Sequence, residues 1–188
     1  MTSELAVIFL VVVSGTFDAD YVSVQPWPSK VACLQPQSVG FENHQFILRG
    51  PGRSGVLTLR NGKTEDDGYG STDWVTTLED RQRLELAGEN GPVWAVEIFS
   101  NHIGGSGSYS RLVVVSCRNG SLTELVQAGG EGMRVKLLED GGMILTFGVW
   151  YPQDAHCCPS AQKTLILHWN ARRRIFQIER QSITGRNP

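Results

Sequence analysis

Arg111-Leu-Val-Val-Val-Ser-Cys-Arg-Asn-Gly-Ser-Leu-Thr-Glu-Leu-Val126 places two runs rich in β-branched residues on either side of Asn119-Gly120. Asn-Gly adopts the type I′ turn readily, because both central residues of that turn need positive φ, and its twist suits a tight β-hairpin. The same grammar recurs along the chain. Gly55-Val-Leu-Thr-Leu-Arg60 precedes Asn61-Gly62, so the tripeptide Arg-Asn-Gly occurs twice, as reused turn chemistry. Met133-Arg-Val-Lys-Leu-Leu138 leads through Asp140-Gly141-Gly142 into Met143-Ile-Leu-Thr-Phe147, and Thr164-Leu-Ile-Leu-His-Trp169 leads through Asn170-Ala-Arg-Arg-Arg174 into Ile175-Phe-Gln-Ile178. Trp94-Ala-Val-Glu-Ile-Phe99, largely apolar, reads as a further and central strand.

Strands joined by such short links pair antiparallel, since no length remains for a crossover helix. The expected fold is therefore all-β: an antiparallel meander of hairpins forming a sandwich or barrel-like domain, with a partial propeller-like arrangement as the alternative. The stretch from Glu65 to Glu89 is acidic and less patterned. Within it, residues 78–86 suit a short helix or a polar edge strand equally.

Composition bounds the function. The chain has 188 residues, 40% of them hydrophobic and 19% charged, which are the proportions of an ordinary folded protein. Its 21 glycines stand mostly in turn contexts, and the formal net charge is -2. A nucleic-acid partner is not expected, because phosphate neutralisation calls for a basic excess.

Three regions are read along the chain. Residues 1–15 contain the unbroken apolar run Leu5 to Val13 followed by Ser14 and Gly15, too short for a transmembrane span and suited to a signal peptide, although Glu4 replaces the usual basic residue. Export to a secreted, periplasmic or cell-envelope location follows. If that run is a buried strand, the location is cytoplasmic. Residues 16–40 hold Pro26, Pro28 and Pro36 and read as an irregular extended lead-in, with Trp27 as a packing anchor. Residues 41–188 form a single β domain.

Cys33, Cys117, Cys157 and Cys158 make an even cysteine count that fits an oxidising compartment. Adjacent cysteines in a strand point to opposite faces. Cys157 and Cys158 can bond each other, pair separately with Cys33 and Cys117, or ligate a metal with His156 and Asp154. Zinc-binding cysteine pairs are usually spaced two to four residues apart, so a metal fits poorly and none is expected.

The string Tyr151-Pro-Gln-Asp-Ala-His-Cys-Cys-Pro-Ser160, followed by a strand containing Trp169, resembles the LppP/LprE family of small secreted bacterial lipoproteins. In that family a Cys-Cys-Pro-Ser string precedes a terminal hairpin, and the resemblance covers roughly residues 94 to 180. It implies a bacterial, extracytoplasmic envelope protein in which Cys157 and Cys158 belong to the architecture. It also favours a bond between those two, because the adjacent pair travels with the motif. The chain departs from a lipoprotein at its start: Cys33 lies well beyond the apolar run, so secretion without a lipid anchor is the expectation.

Two loops concentrate polar and aromatic groups. Asn101-His-Ile-Gly-Gly-Ser-Gly-Ser-Tyr109 is glycine-rich, but the next segment is a strand, whereas a phosphate loop opens a helix. His102, Ser106, Ser108 and Tyr109 on this loop, with Trp150 and Tyr151 on the 148–160 loop, are the candidate binding residues. The leading function is a structural or interaction protein of the envelope, stabilised by disulfides and contacting an envelope protein or glycan. The alternative is a small-ligand or glycan-binding module using loops 101–109 and 148–160. A hydrolase comes third. Candidate Ser, Asp and His residues exist, but no Gly-x-Ser-x-Gly elbow does, so no catalytic residue is assigned and no cofactor is expected. His168 reads as a structural histidine, Arg172 to Arg174 as a solvated turn, and Trp74, Trp94, Trp150 and Trp169 as core.

Overall fold

The structure, a computed structural model, describes residues 21–33, 40–50, 53–66, 73–105, 107–155 and 158–185. The N-terminal segment read as a signal lies outside these residues, as do Ser106, His156 and Cys157.

The chain is all-β, with antiparallel pairing throughout. A 3-10 turn, Phe41–Asn43, is the only helical element among the described residues. The central sheet is built on β7 (Val93–His102), β8 (Ser108–Arg118) and β9 (Ser121–Gly130). On one side β6 (Trp74–Leu84) and the short β5 (Lys63–Thr64) extend it. On the other side β1 (Tyr21–Ser23) and β2 (Trp27–Ala32) both lie along β9. A second sheet of four strands is a plain meander of β10 (Arg134–Leu137), β11 (Met143–Val149), β12 (Ala161–Asn170) and β13 (Ile175–Gly185). The third is the hairpin of β3 (Gln45–Gly50) and β4 (Arg53–Thr58).

Both faces of the central sheet are covered. Side chains alternate along a strand, so β8 sends Leu112 and Val114 to one face and Val113 and Val115 to the other. The first pair joins a core with Met143, Leu145, Phe147, Leu165, Leu167 and Phe176 of the four-stranded sheet. The second pair joins another core with Phe46, Leu48, Leu57 and Phe41 of the hairpin layer. The architecture is thus a sandwich with a third, smaller layer, and the four-stranded sheet stays open, with β10 and β13 as its ends.

The turn chemistry is realised where it was read. Asn119 and Gly120 have φ of 51° and 75°, and Asn61 and Gly62 have φ of 52° and 78°. The Asn119-Gly120 turn joins β8 to β9 as a hairpin. At Asn61-Gly62 only a single bridge, Arg60 to Lys63, forms. That turn carries the chain from the hairpin layer into the central sheet, and β4 pairs back with β3 instead. Trp94 to Phe99 lies in β7, inside the central sheet. Residues 78–84 are strand, and β5 pairs only with Thr76 and Thr77, so this polar stretch is an edge.

The lead-in differs from its reading. Residues 21–23 and 27–32 are strands, and Pro28 pairs opposite Thr123. Proline is admissible there because β2 is an edge strand, whose missing N–H faces away from the ladder. Trp27 is 40% exposed and lies against the Arg49 guanidinium, 4.8 Å from its ring centroid. It is a surface stack, where a packing anchor was expected.

One disulfide and two polar clusters secure the strands and layers. The Cys33–Cys117 disulfide closes a separation of 84 residues and fixes the end of β2 to β8. The buried Gln127 amide donates to Ile47 O at 2.9 Å and accepts from the Arg49 backbone N–H. One side chain thereby satisfies two backbone groups of β3, as a neighbouring strand would. The second cluster centres on Glu89, on the β6–β7 connection, whose side chain is only 1% exposed. It accepts from Ser116 Oγ at 2.7 Å, from Arg174 Nε at 2.9 Å and Nη2 at 3.1 Å, and from Arg118. Arg174 therefore departs from the solvated turn expected of the arginine run, while Arg172 and Arg173 remain exposed.

Burial alone pushes the Glu89 carboxyl up. The hydrogen bonds from Arg174, Arg118 and Ser116, with the Arg118 charge, overcome it and bring the group from 4.5 down to about 2. A depressed carboxylate stabilises the fold above its unfolded value, and that stability is lost as pH falls through the folded value. Glu89→Gln is expected to cost about 3 kcal/mol at neutral pH. In urea denaturation the gap from the parent protein should close between pH 4.5 and about 2.

Candidate functional site

The β7–β8 hairpin tip and the 150–160 loop are organised by different means. At the tip, His102 N donates to Gly107 O at 3.0 Å and Ile103 N to Asp73 O at 2.7 Å. The His102 ring meets Trp74 edge-on, with centroids 5.3 Å apart. In the other loop a single oxygen, Asp154 Oδ2, accepts from Tyr151 N at 2.8 Å, Ser160 N at 3.0 Å and Ser160 Oγ at 3.0 Å. These bonds, the Tyr151 and Ser160 backbone N–H groups foremost, hold the Asp154 carboxyl below its ordinary value. Asp154 is a loop clasp, whereas the metal reading had it as a ligand. No group of three metal-ligating side chains occurs among the described residues.

The clasp returns Trp150 onto its own strand. A Cβ built at Gly148 would lie 2.5 Å from the Trp150 ring and 2.9 Å from Pro159, so the ring and the proline rest on the bare backbone there. Gly132, at positive φ in the β9–β10 turn, lies against the same edge of that ring, where an added Cβ would stand 3.5 Å from Cη2. Against this half-buried indole opens a shallow groove of about 240 Å³, lined by Ser108, Glu131, Arg134, Thr146, Gln162 and Pro159 among others. Compact sites for drug-sized ligands run roughly 300–1,000 Å³. This one suits a small polar ligand, or one unit of a longer one.

Of the five candidate residues that are described, the structure brings two together: Ser108 and Trp150 line the groove, while Ser106 lies outside the described residues. Tyr109 follows Ser108 on the strand and so faces the opposite side. Its ring lies over Gly129, where an added Cβ would come within 2.9 Å of it and 2.8 Å of Tyr21, and the Arg111 guanidinium stands 4.7 Å from its centroid. His102 is exposed at the hairpin tip, and Tyr151 is half-buried outside the groove. Glu131, Arg134, Thr146 and Gln162 were missed. Register is the signal that finds three of them: Arg134 pairs with Thr146 and Gly148 with Gln162, so Arg134, Thr146 and Gln162 stand on the outward face of the sheet, while Glu131 comes from the β9–β10 turn.

The cysteines resolve partly. Cys33 and Cys117 bond each other, which excludes their separate pairing with Cys157 and Cys158. Cys158 is itself disulfide-bonded. The described histidines take three different settings. His44 packs edge-on against Phe41 and Phe46, and burial lowers its pKa. His102 meets Trp74. His168 bonds Glu179 Oε2 through Nε2 at 2.7 Å, consistent with its structural reading.

No protein-family model matches the chain, and neither does a curated protein or a solved structure. No helix among the described residues is long and apolar enough to cross a membrane.

Asp154→Ala removes the acceptor that all three loop bonds share. The expected result is a red-shifted, more quenchable Trp150 emission, read against a Trp150→Phe control, with the β-sheet circular dichroism retained. Because the Asp154 pKa is lowered, the clasp is complete above the ordinary aspartate value of about 3.9 and opens as pH falls through the lower value of the folded protein. The parent protein should therefore show the same red shift under acid titration, and Asp154→Ala should not.

Proposed function

We propose that this is an exported interaction domain of the bacterial envelope, locked by disulfides. The observation that carries this reading is cysteine oxidation: Cys33 is bonded to Cys117, and Cys158 is also disulfide-bonded. Structural disulfides belong to oxidising compartments, while reducing cytosol keeps thiols free. The apolar run at Leu5 to Val13 and the resemblance to LppP/LprE proteins support the same location. Closing an 84-residue separation is also where a disulfide has most leverage on the unfolded chain, on the order of 4 kcal/mol.

A second reading, binding of a small ligand or a glycan, is favoured by the groove. It combines the flat Trp150 ring with a carboxylate, a guanidinium, an amide and hydroxyls, the mixture that recognises a polyhydroxylated ring. The two loops named for that role supply Trp150, Pro159 and Ser108.

Thiol mapping tests the first reading. The full chain is expressed in a bacterial host, fractionated, denatured in excess N-ethylmaleimide and digested without reductant. The expected outcome is protein in the extracytoplasmic fraction with no alkylated cysteine. Alkylated Cys33 and Cys117 in a folded cytosolic protein would overturn the proposal.

A further inference from the structure

The outward face of the four-stranded sheet is a grid fixed by strand register. Lys136, Ile144, Ile166 and Arg180 stand side by side across β10 to β13. The next row is Arg134, Thr146, Thr164 and Ser182, and the third runs from Gly148 through Gln162 to Thr184. Leu145, Phe147, Leu165 and Leu167, which alternate with these residues, are buried in the core, so the rows face away from it.

Charge is one-sided on this grid. Arg134, Lys136 and Arg180 are exposed, and among the described residues none of them is held in an ion pair. No acidic residue stands in any of the three rows. The acids nearby lie beyond them: Asp140 and Glu179 flank His168 past the first row, and Glu131 lies at the groove rim beside Arg134. The Thr146, Thr164 and Ser182 hydroxyls continue the Arg134 row, the Gln162 amide and Thr184 hydroxyl lie next to it in the third row, and that row has one end under Trp150. Strands lie about 4.8 Å apart, so Lys136 and Arg180 are separated by about 14 Å, three strand spacings. A single small anion could touch only one of them.

We propose that this face binds an acidic polysaccharide. Its carboxylates pair with Lys136, Arg134 and Arg180, its hydroxyls bond the threonine, serine and glutamine rows, and one sugar ring stacks on Trp150. This deepens the glycan reading of the groove and rests on it, adding the ligand's charge and an extended footprint. Charge complementarity selects an anionic occupant, and the hydroxyl and amide rows select a polyol. An anionic bilayer would instead favour protruding apolar side chains, and here Ile144 and Ile166 are half-buried.

Calorimetric titration of the disulfide-intact full chain with hexagalacturonate, and separately with uncharged maltohexaose, tests this. Hexagalacturonate should bind more tightly, and its binding should weaken with added salt. Lys136→Glu with Arg180→Glu should lower that affinity roughly tenfold or more, whereas Arg172→Glu with Arg173→Glu, on the exposed β12–β13 turn, should leave it nearly unchanged. Circular dichroism and Tm confirm that each variant is folded. If the turn variant loses as much as the grid variant, the inference is wrong. Binding of maltohexaose alone, abolished by Trp150→Ala, would preserve the groove reading and overturn the acidic ligand. Binding of neither sugar would overturn both. Capture by phosphatidylglycerol vesicles through Lys136 and Arg180, without hexagalacturonate binding, would make the face a membrane-surface site and overturn the inference.

Discussion

Everything in this fold depends on the burial of both faces of β8 and β9. Residues 111–116 and 122–130 are buried without a break, so their side chains alternate between two cores. Neither covering layer is optional. Without the four-stranded sheet, Leu112 and Val114 would face water; without the β3–β4 hairpin, Val113 and Val115 would. Fully burying such side chains contributes roughly 1.5–3 kcal/mol each, more than any single polar contact described above apart from the Glu89 cluster.

The covering layers are held by chemistry placed at their borders. The Gln127 amide ties the central sheet to the hairpin, the Glu89 cluster ties it to the β12–β13 turn, and the disulfide staples β2 to β8 within the central sheet. Because the four-stranded sheet buries its inner residues so completely, its outer rows are presented on a rigid platform. Trp150 then needs only Asp154 and the missing side chain of Gly148 to be set beside that platform. Binding chemistry thus stands on a surface whose geometry the core determines.

How much of this was legible varies with the kind of signal. Local turn chemistry read correctly: Asn119-Gly120, Asp140 to Gly142 and Asn170 to Arg174 all join paired strands. The sandwich followed from those hairpins. What local pattern does not encode is which strand a hairpin half chooses when another partner is near. Residues 55–58 therefore pair back onto β3, and Pro28 conceals an edge strand. The site was half legible. Ser108 and Trp150 were named from loop composition, but Arg134, Thr146 and Gln162 sit on strands and converge only through cross-strand register. Tyr109 misleads for the same reason, since one step along a strand reverses its face.

Hydrogen exchange resolved by residue tests the central claim most directly. Amides of β8 and β9 between Leu112 and Ala128, the Asn119-Gly120 turn aside, should exchange only through global unfolding, with a protection free energy equal to that from denaturation. Residues 181–185 of β13, an exposed end of the outer sheet, should exchange far faster. If β8 exchanged as readily as that end of β13, the account of a doubly buried central sheet would be contradicted.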